Sequence, residues 1–303
     1  MLKDDPVTRT QAIARLRESG CVFAEEEAAV LIEAAAGNDQ TLAALVERRA
    51  TGEPLEQVAG YADFCGVRVR LRPGVFVPRV RSELLVRLAV KEAARDKTGN
   101  ETQNKTENKT GNKAGNKTGY NGWDKTADKG GDKAGNKARD KTVVDLCCGS
   151  GALGLAVLHQ HQITLHSADL DPTAVATARD NLTTPVYEGD LFAALPDDLR
   201  GHIDVLIANV PYVATHHIPL LPAEARDHEP PIALDGGPDG LDVFRRITTE
   251  APNWLAPGGV LLSEITAAQL GEATEAVNRA GLDADSIYDD DLEARVIRGR
   301  RTR

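Results

Sequence analysis

Aromatic side chains are scarce in this 303-residue chain, at 4% of residues, and there is a single methionine. No run of about 18 consecutive apolar residues occurs, which excludes a membrane-spanning helix. The first 20 residues lack the apolar core of a secretory signal and read as a charged, helix-like segment. Cysteine is limited to Cys21, Cys65, Cys147 and Cys148, with no Cys-x-x-Cys spacing, so a disulfide framework is not expected and a reduced, cytoplasmic setting is. Lysine is nearly missing outside one segment: 10 of the 12 lysines fall within residues 96–141, which carry a net +4. The other 257 residues hold 25 basic and 39 acidic side chains, a net −14. A body of that sign is a poor electrostatic match for a nucleic-acid backbone, so direct nucleic-acid binding is not expected.

Hydrophobic residues make up 41% of the chain, enough for a sizeable core. Residues 96–141 contribute almost none of them. Units such as Asn104-Lys105-Thr106 and Asn108-Lys109-Thr110 repeat there, and so polar a tract cannot offset the entropy of ordering itself. The expectation is a disordered, low-complexity insertion, with Tyr120 and Trp123 as incidental aromatics.

Upstream, Ile13 and Leu16, then Val30, Leu31 and Ala34, then Leu42, Leu45 and Val46 recur at helical spacing. Gly20 and Gly37-Asn38 punctuate them, which predicts three short helices in a small bundle within residues 1–60. Within a linker at 61–80, Val67, Val69 and Leu71 alternate with arginines. Arg72-Pro73-Gly74 makes a turn and Val75-Phe76-Val77 follows, which predicts a β-hairpin over 64–78. Ser82 is expected to cap a helix reaching about residue 94, with Leu84, Leu85, Leu88 and Ala89 on its apolar face. After the insertion, strands expected at 143–146, 163–170, 186–188, 203–208 and 260–265 alternate with helices at 151–158, 172–181, 241–255 and 269–280. Ile287 and Val296-Ile297 suggest a terminal hairpin. That order predicts an α/β fold over 81–303, a mostly parallel sheet with helices on both faces and ligands beyond the carboxyl ends of the strands.

Three elements at such ends carry chemistry. Cys147-Cys148-Gly149-Ser150-Gly151, with Gly154 beyond, follows a strand and opens a helix. Small residues there let the backbone approach a ligand, and the helix start offers free N–H groups. Asp169 closes the next strand, where a carboxylate can accept from both hydroxyls of a ribose; Asp171, before Pro172, reads as a helix cap. Both features suit a nicotinamide dehydrogenase or an adenosylmethionine enzyme. Asn209-Val210-Pro211-Tyr212, at the end of a third strand, separates the two. An Asn side-chain oxygen beside the next backbone carbonyl gives two acceptors converging on an NH2 group, and a tyrosine ring gives a flat face for a planar amide or base.

The tetrapeptide is similar to the Asn-Pro-Pro-Tyr signature of methyltransferases that act on planar NH2 groups. The wider chain resembles the protein-(glutamine-N5) methyltransferases, the release factor glutamine methyltransferase family. Gly52-Glu53-Pro54-Leu55, the segment from Gly60 through Gly66, Pro73 through Arg79, His228-Glu229-Pro230-Pro231, Ala233 through Gly237 and Asp239-Gly240-Leu241 carry that resemblance. It implies a helical N-terminal substrate-recognition domain joined to a class I, Rossmann-like methyltransferase sheet. It also implies S-adenosylmethionine held by Cys147, Cys148, Gly149, Ser150, Gly151 and Asp169, with Asp190 and Leu191 along the adenine and Asn209 nearby. Asn209, Val210, Pro211 and Tyr212 would grip a glutamine side chain, Asn209, Pro211 and Tyr212 being the catalytic set. Val210 stands where the family has proline, Cys147-Cys148 where Gly-Thr is commoner, and Leu191 where an aromatic is frequent, which marks a divergent branch.

Arg79, Arg81 and Glu83 group where the linker meets the catalytic domain, leaving open an interdomain ion-pair role or contact with the substrate; the resemblance favours Arg79 and Glu83 in acceptor binding. His216-His217 and Asp289-Asp290-Asp291 read as solvated, and no metal site is expected. The implied partner is a protein, with a peptide chain release factor foremost. An adenine-N6 methyltransferase and a catalytically silent methyltransferase-like binding module are the alternatives.

Overall fold

A computed structural model describes residues 8–95 and 139–302. The expected insertion therefore lies outside the described residues except for its last three, and those belong to the folded body. Arg139 and Lys141 both pair with Asp204, at 3.1 and 3.0 Å, and Lys141 already begins a strand.

Helices α1 (Arg9–Glu18), α2 (Ala24–Ala35) and α3 (Asp39–Ala50) form the expected bundle, and a short α4 (Leu55–Ala59) joins it. Leu16, Leu31, Leu42, Val46 and Val58 fill its separate core. Thr8 and Gln11 close a reciprocal capping box at the start of α1, and the Asn38 side chain caps α3 by accepting from the Thr41 N–H at 2.8 Å.

The hairpin forms one strand earlier than its pattern suggested. Strand β1 (Tyr61–Phe64) pairs with β2 (Val67–Arg70) across Cys65-Gly66, both at positive φ (48° and 82°) as a two-residue primed turn requires. Val75 and Val77 are buried but join no sheet. Val75 gives its carbonyl to Gln57 Nε2 at 2.9 Å, and Val77 gives its N–H to Glu229 Oε1 at 3.2 Å. With side chains satisfying its backbone, this segment needs no partner strand.

Next come α5 (Glu83–Ala93), β3 (Lys141–Leu146), α6 (Ala152–Gln160), β4 (Ile163–Asp169), α7 (Pro172–Asn181), β5 (Val186–Glu188) and β6 (Ile203–Ala208). Two short helices, α8 (Ala223–His228) and α9 (Pro231–Leu234), precede α10 (Asp242–Trp254), β7 (Leu255–Glu264), α11 (Leu270–Arg279), β8 (Leu282–Asp289) and β9 (Ala294–Arg301). The main sheet has seven strands in the order β5-β4-β3-β6-β7-β9-β8, parallel except for β9, which runs antiparallel to both neighbours. The period-2 alternation divides the core. Val143, Val205, Ile207, Val260 and Leu262 face α5, α6 and α7, while Val144, Leu146, Leu206 and Leu261 face α10 and α11. Chain order reverses direction between β3 and β6, which opens a crevice at the carboxyl ends of these two neighbours.

Under that crevice lies Asp145, fully buried. Its Oδ2 accepts from the Gly154 N–H at 3.0 Å, tying the strand to α6, and its Oδ1 has no partner. Burial pushes this carboxyl up to about 7, well above 3.8. The folded chain therefore keeps a proton there that the unfolded chain sheds near 3.8, and this group's contribution to stability is lost as pH rises from about 4 to about 7. Asp145→Asn should flatten that part of the profile: urea midpoints at pH 5 and 7.5 should differ less in the variant than in the parent. An equal difference in both proteins would show that Asp145 is not the group responsible.

Candidate active site

A cavity of about 600 Å³ occupies the crevice, within the size range of small-molecule and cofactor sites. The turn after β3, Asp169 at the end of β4, Asp190-Leu191 after β5 and Asn209 through Tyr212 after β6 all line it, as do Arg79 from the linker and Arg81 and Ser82 just before α5. Two sequence-derived residues are absent from its wall. Gly151 sits behind it, at φ 77°, where a Cβ would meet Leu182 Cδ1 at 2.8 Å, so its small size serves the packing of α6 on α7. Glu83 turns instead toward Arg87, 3.8 Å away.

In one half of the cavity, the β3–α6 turn takes left-handed φ at Cys147 and Gly149 (both 55°). A Cβ on Gly149 would meet nothing within 4 Å, so the turn leaves room for a ligand to approach its backbone. Asp169 holds the turn in place. Its Oδ2 accepts from the Gly149 N–H at 2.8 Å, and its Oδ1 accepts from the Asp171 N–H at 2.9 Å. Asp171 in turn caps α7, accepting from the Thr173 N–H at 2.9 Å, as expected. Each Asp169 oxygen keeps lone-pair capacity for a second donor. Burial, with Asp169 and Asp145 nearby, raises the Cys147 and Cys148 thiols far above the ordinary value, so both pack as neutral thiols. Asp190 pairs with Arg246 at 2.6 Å on the rim. Leu191 adopts φ 51°, uncommon for a branched residue, and buries its side chain beside Phe192 rather than offering a flat ring to the cavity.

The other half is built around Asn209. Its Nδ2 donates to Ser82 Oγ at 3.2 Å, and its Oδ1 is enclosed without a partner. Tyr212 donates its hydroxyl to Glu264 Oε1 at 3.1 Å, and Arg81 reaches the same Glu264 oxygen at 2.8 Å and touches the Tyr212 hydroxyl. Burial and the Glu264 charge raise the Tyr212 phenol well above its usual range, so it remains protonated. Val210 is buried in the core with Leu241 and Phe244, which anchors the turn without the ring of a proline. Arg79 pairs at 2.6 Å with Glu229, a carboxylate whose side chain is fully enclosed and whose Oε2 has no partner. Burial raises this carboxyl despite Arg79.

Motif reading did not assign Ser82 and Glu229, which line the cavity, or Glu264, which holds Ser82 and Tyr212. Ser82 was expected to cap α5; it makes no cap, because its hydroxyl goes to Glu264 Oε2 at 2.8 Å. Ser263-Glu264, a polar pair closing an apolar strand at its carboxyl end, was the available signal. Gln269 and two glycines hold the Asn209–Tyr212 loop from behind. Gln269 Nε2 donates to the Tyr212 carbonyl at 2.9 Å, and a Cβ on Gly236 would lie 2.6 Å from the Pro211 carbonyl. His216 and His217 lie exposed on the stretch that follows, and no group of three His, Cys, Asp or Glu suited to a metal occurs among the described residues.

The doubly wound sheet, the glycine turn with its pinned aspartate and the Asn-x-Pro-Tyr loop in one crevice define a class I S-adenosylmethionine-dependent methyltransferase. Residues 133–222 match the family model described as "Methyltransferase small domain". The chain is 30% identical to the release factor glutamine methyltransferase of Bradyrhizobium diazoefficiens, over 91% of its own length and 87% of that protein's. It is 29% identical to that of Moorella thermoacetica, over 90% and 78%. A shorter match, 45% identical over 41% of this chain and 44% of the relative, is to the ribosomal protein uL3 glutamine methyltransferase of Burkholderia pseudomallei. The chain belongs to the release factor glutamine methyltransferase family, and S-adenosylmethionine is its cofactor.

Gly240 sits at φ 77° with its missing Cβ only 2.1 Å from the Tyr212 carbonyl, whereas Gly258, at φ 79°, has nothing nearby. Both Gly→Ala variants impose the backbone strain, about 1–3 kcal/mol, but only Gly240→Ala adds a collision. Gly240→Ala should therefore be the less stable of the two in urea and should lose methyl transfer, while Gly258→Ala stays active.

Proposed function

We propose that the protein transfers a methyl group from S-adenosylmethionine to the side-chain amide nitrogen, N5, of a glutamine in the Gly-Gly-Gln loop of a peptide chain release factor, in the cytoplasm. One observation carries this reading: Asn209 lines the cavity with its Nδ2 engaged and its Oδ1 enclosed and unpaired. A buried acceptor without a donor is costly, and an incoming NH2 group relieves it. The longer alignments, which take in the N-terminal region as well, favour a release factor over a ribosomal protein as acceptor. The helical domain, residues 1–60, is assigned to recognition of the acceptor protein.

On this reading the Cys147–Ser150 backbone and Asp169 hold the cofactor, with Asp190 and Leu191 along its adenine. The orphaned Asp145 Oδ1 beneath the turn and the open space at Gly149 are consistent with that placement. When bound, the cofactor supplies a sulfonium methyl that is already electrophilic. The protein's task is therefore to orient a poor nucleophile. A carboxamide nitrogen shares its lone pair with the carbonyl, so Asn209 Oδ1 and the Val210 carbonyl accept its two hydrogens and turn the lone pair outward. The same acceptors stabilise positive charge growing on nitrogen. Pro211 limits the loop's freedom, and Tyr212, its hydroxyl fixed on Glu264, gives a flat wall. Arg79, with Glu229, lies on the acceptor side of the cavity. Pre-set geometry of this kind supplies up to ~7–11 kcal/mol in favourable model reactions. No general base is required, since the methylated amide can lose its proton to water.

Incubation with purified release factor and isotope-labelled S-adenosylmethionine should place the label on the Gly-Gly-Gln peptide, read by mass spectrometry. Label on another protein, or none, refutes the assignment. Asn209→Ala should reduce methyl transfer by about 100-fold or more while cofactor binding in calorimetry stays within about twofold. Asp169→Ala should do the reverse and weaken cofactor binding by roughly 10-fold or more.

A further inference from the structure

The carboxamide of an asparagine has an oxygen and an NH2 of nearly the same size, and rotation by half a turn exchanges them. The reading above rests on the oxygen of Asn209 meeting the acceptor amide, so something must forbid the exchange. Steric shape cannot do this, but hydrogen-bond direction can.

Glu264 closes β7 with its side chain almost fully buried. Its Oε1 accepts from Arg81 Nε at 2.8 Å and from the Tyr212 hydroxyl, and its Oε2 accepts from Ser82 Oγ at 2.8 Å. A carboxylate only accepts. The single hydroxyl hydrogen of Ser82 is therefore committed to Glu264, and what Ser82 turns toward Asn209 is a lone pair. Only the NH2 of Asn209 can answer it, as it does at 3.2 Å, and the oxygen is left as the free acceptor.

We propose that Glu264, acting through the Ser82 hydroxyl, sets which way round the Asn209 carboxamide sits, and so makes the site select a glutamine amide over a carboxylate. Both are positioning residues: neither touches the reacting atoms. Ser82 stands directly before α5 and Glu264 closes β7, so packing of the start of α5 against the sheet is what completes the acceptor site. The inference deepens the proposed function and depends on it.

The test compares binding of a release factor carrying Gly-Gly-Gln with its Gly-Gly-Glu variant, by calorimetry with the cofactor product S-adenosylhomocysteine present. In the parent protein the glutamine form should bind at least ~10-fold more tightly, because the glutamate form offers no donor to Asn209 Oδ1. Ser82→Ala and Glu264→Gln should each cut that preference to about twofold and lower kcat by roughly 10-fold or more, with affinity for S-adenosylmethionine nearly unchanged. Ser82→Thr, which keeps the hydroxyl, should restore both. A merely structural role would weaken both acceptor forms equally and leave the preference intact, and that result overturns the proposal.

A readout free of any acceptor separates this failure from failure of the functional reading. With ¹⁵N-asparagine, the Asn209 side-chain amide, assigned by its loss in Asn209→Asp, should exchange slowly with solvent in the parent and at least ~10-fold faster in Ser82→Ala. Equal exchange rates refute the relay. If slow exchange is lost in Ser82→Ala yet no release factor is methylated by the parent, the relay stands and the acceptor assignment falls.

Discussion

The parallel pairing of β3 with β6 is the constraint on which the rest of the molecule depends. Leu146 lies in register with Ala208, so the glycine turn and the Asn209 loop leave the sheet side by side. On the proposed function neither would matter alone, since a cofactor turn and an amide-gripping asparagine can act together only when they stand a few ångströms apart. The register is enforced from both faces. Val143 and Val205 pack toward one set of helices, Val144 and Leu206 toward the other, and a slip of one residue would exchange the two sets.

Around that junction the protein carries several strained or unpaired groups. Unpaired buried oxygens on Asp145, Asn209 and Glu229, and left-handed φ at Cys147 and Leu191, gather at the carboxyl ends of the strands. Each costs stability, and each concerns a group lining or underlying one cavity. The compensation lies in the flanking layers. The apolar faces of β3, β6 and β7 are almost fully enclosed, and Asn181 ties the outer hairpin to the turn by donating to the carbonyls of Arg70 and Ser150, both at 2.9 Å.

Much of this was legible in the residues. From β3 to α11 the strands and the longer helices fall within a few positions of where alternation and helical spacing put them, because each buries one well-marked apolar face, whereas the short α8 and α9 were not expected. The hairpin was misplaced because Val75-Phe76-Val77 has the composition of a strand. The signal of β1 is weaker, Ala62 and Phe64 being its only buried positions. What turns Val75–Val77 away from a sheet is the reach of Gln57 and Glu229, and a carboxylate 152 residues distant leaves no trace in local spacing. Ser82 misled for a related reason. Serine before a helix is ordinarily a cap, and the presence of Glu264 in hydrogen-bonding range is a fact of the folded chain.

The linear order of side chains was enough to determine the class of fold and to bring the glycine turn, Asp169 and the Asn209–Tyr212 loop to one cavity, because each is contiguous or set at a strand end that hydrophobic periodicity locates. Tertiary structure alone decided how those pieces act together. It placed Ser82 and Arg81 against the loop and Glu229 against Arg79, turned Glu83 and Gly151 away from the cavity, and left one oxygen of Asn209 without a donor. Hydrogen bonds between residues more than 100 positions apart are directional and short in range, so they exist only once the sheet, the linker and the loops have closed on one another.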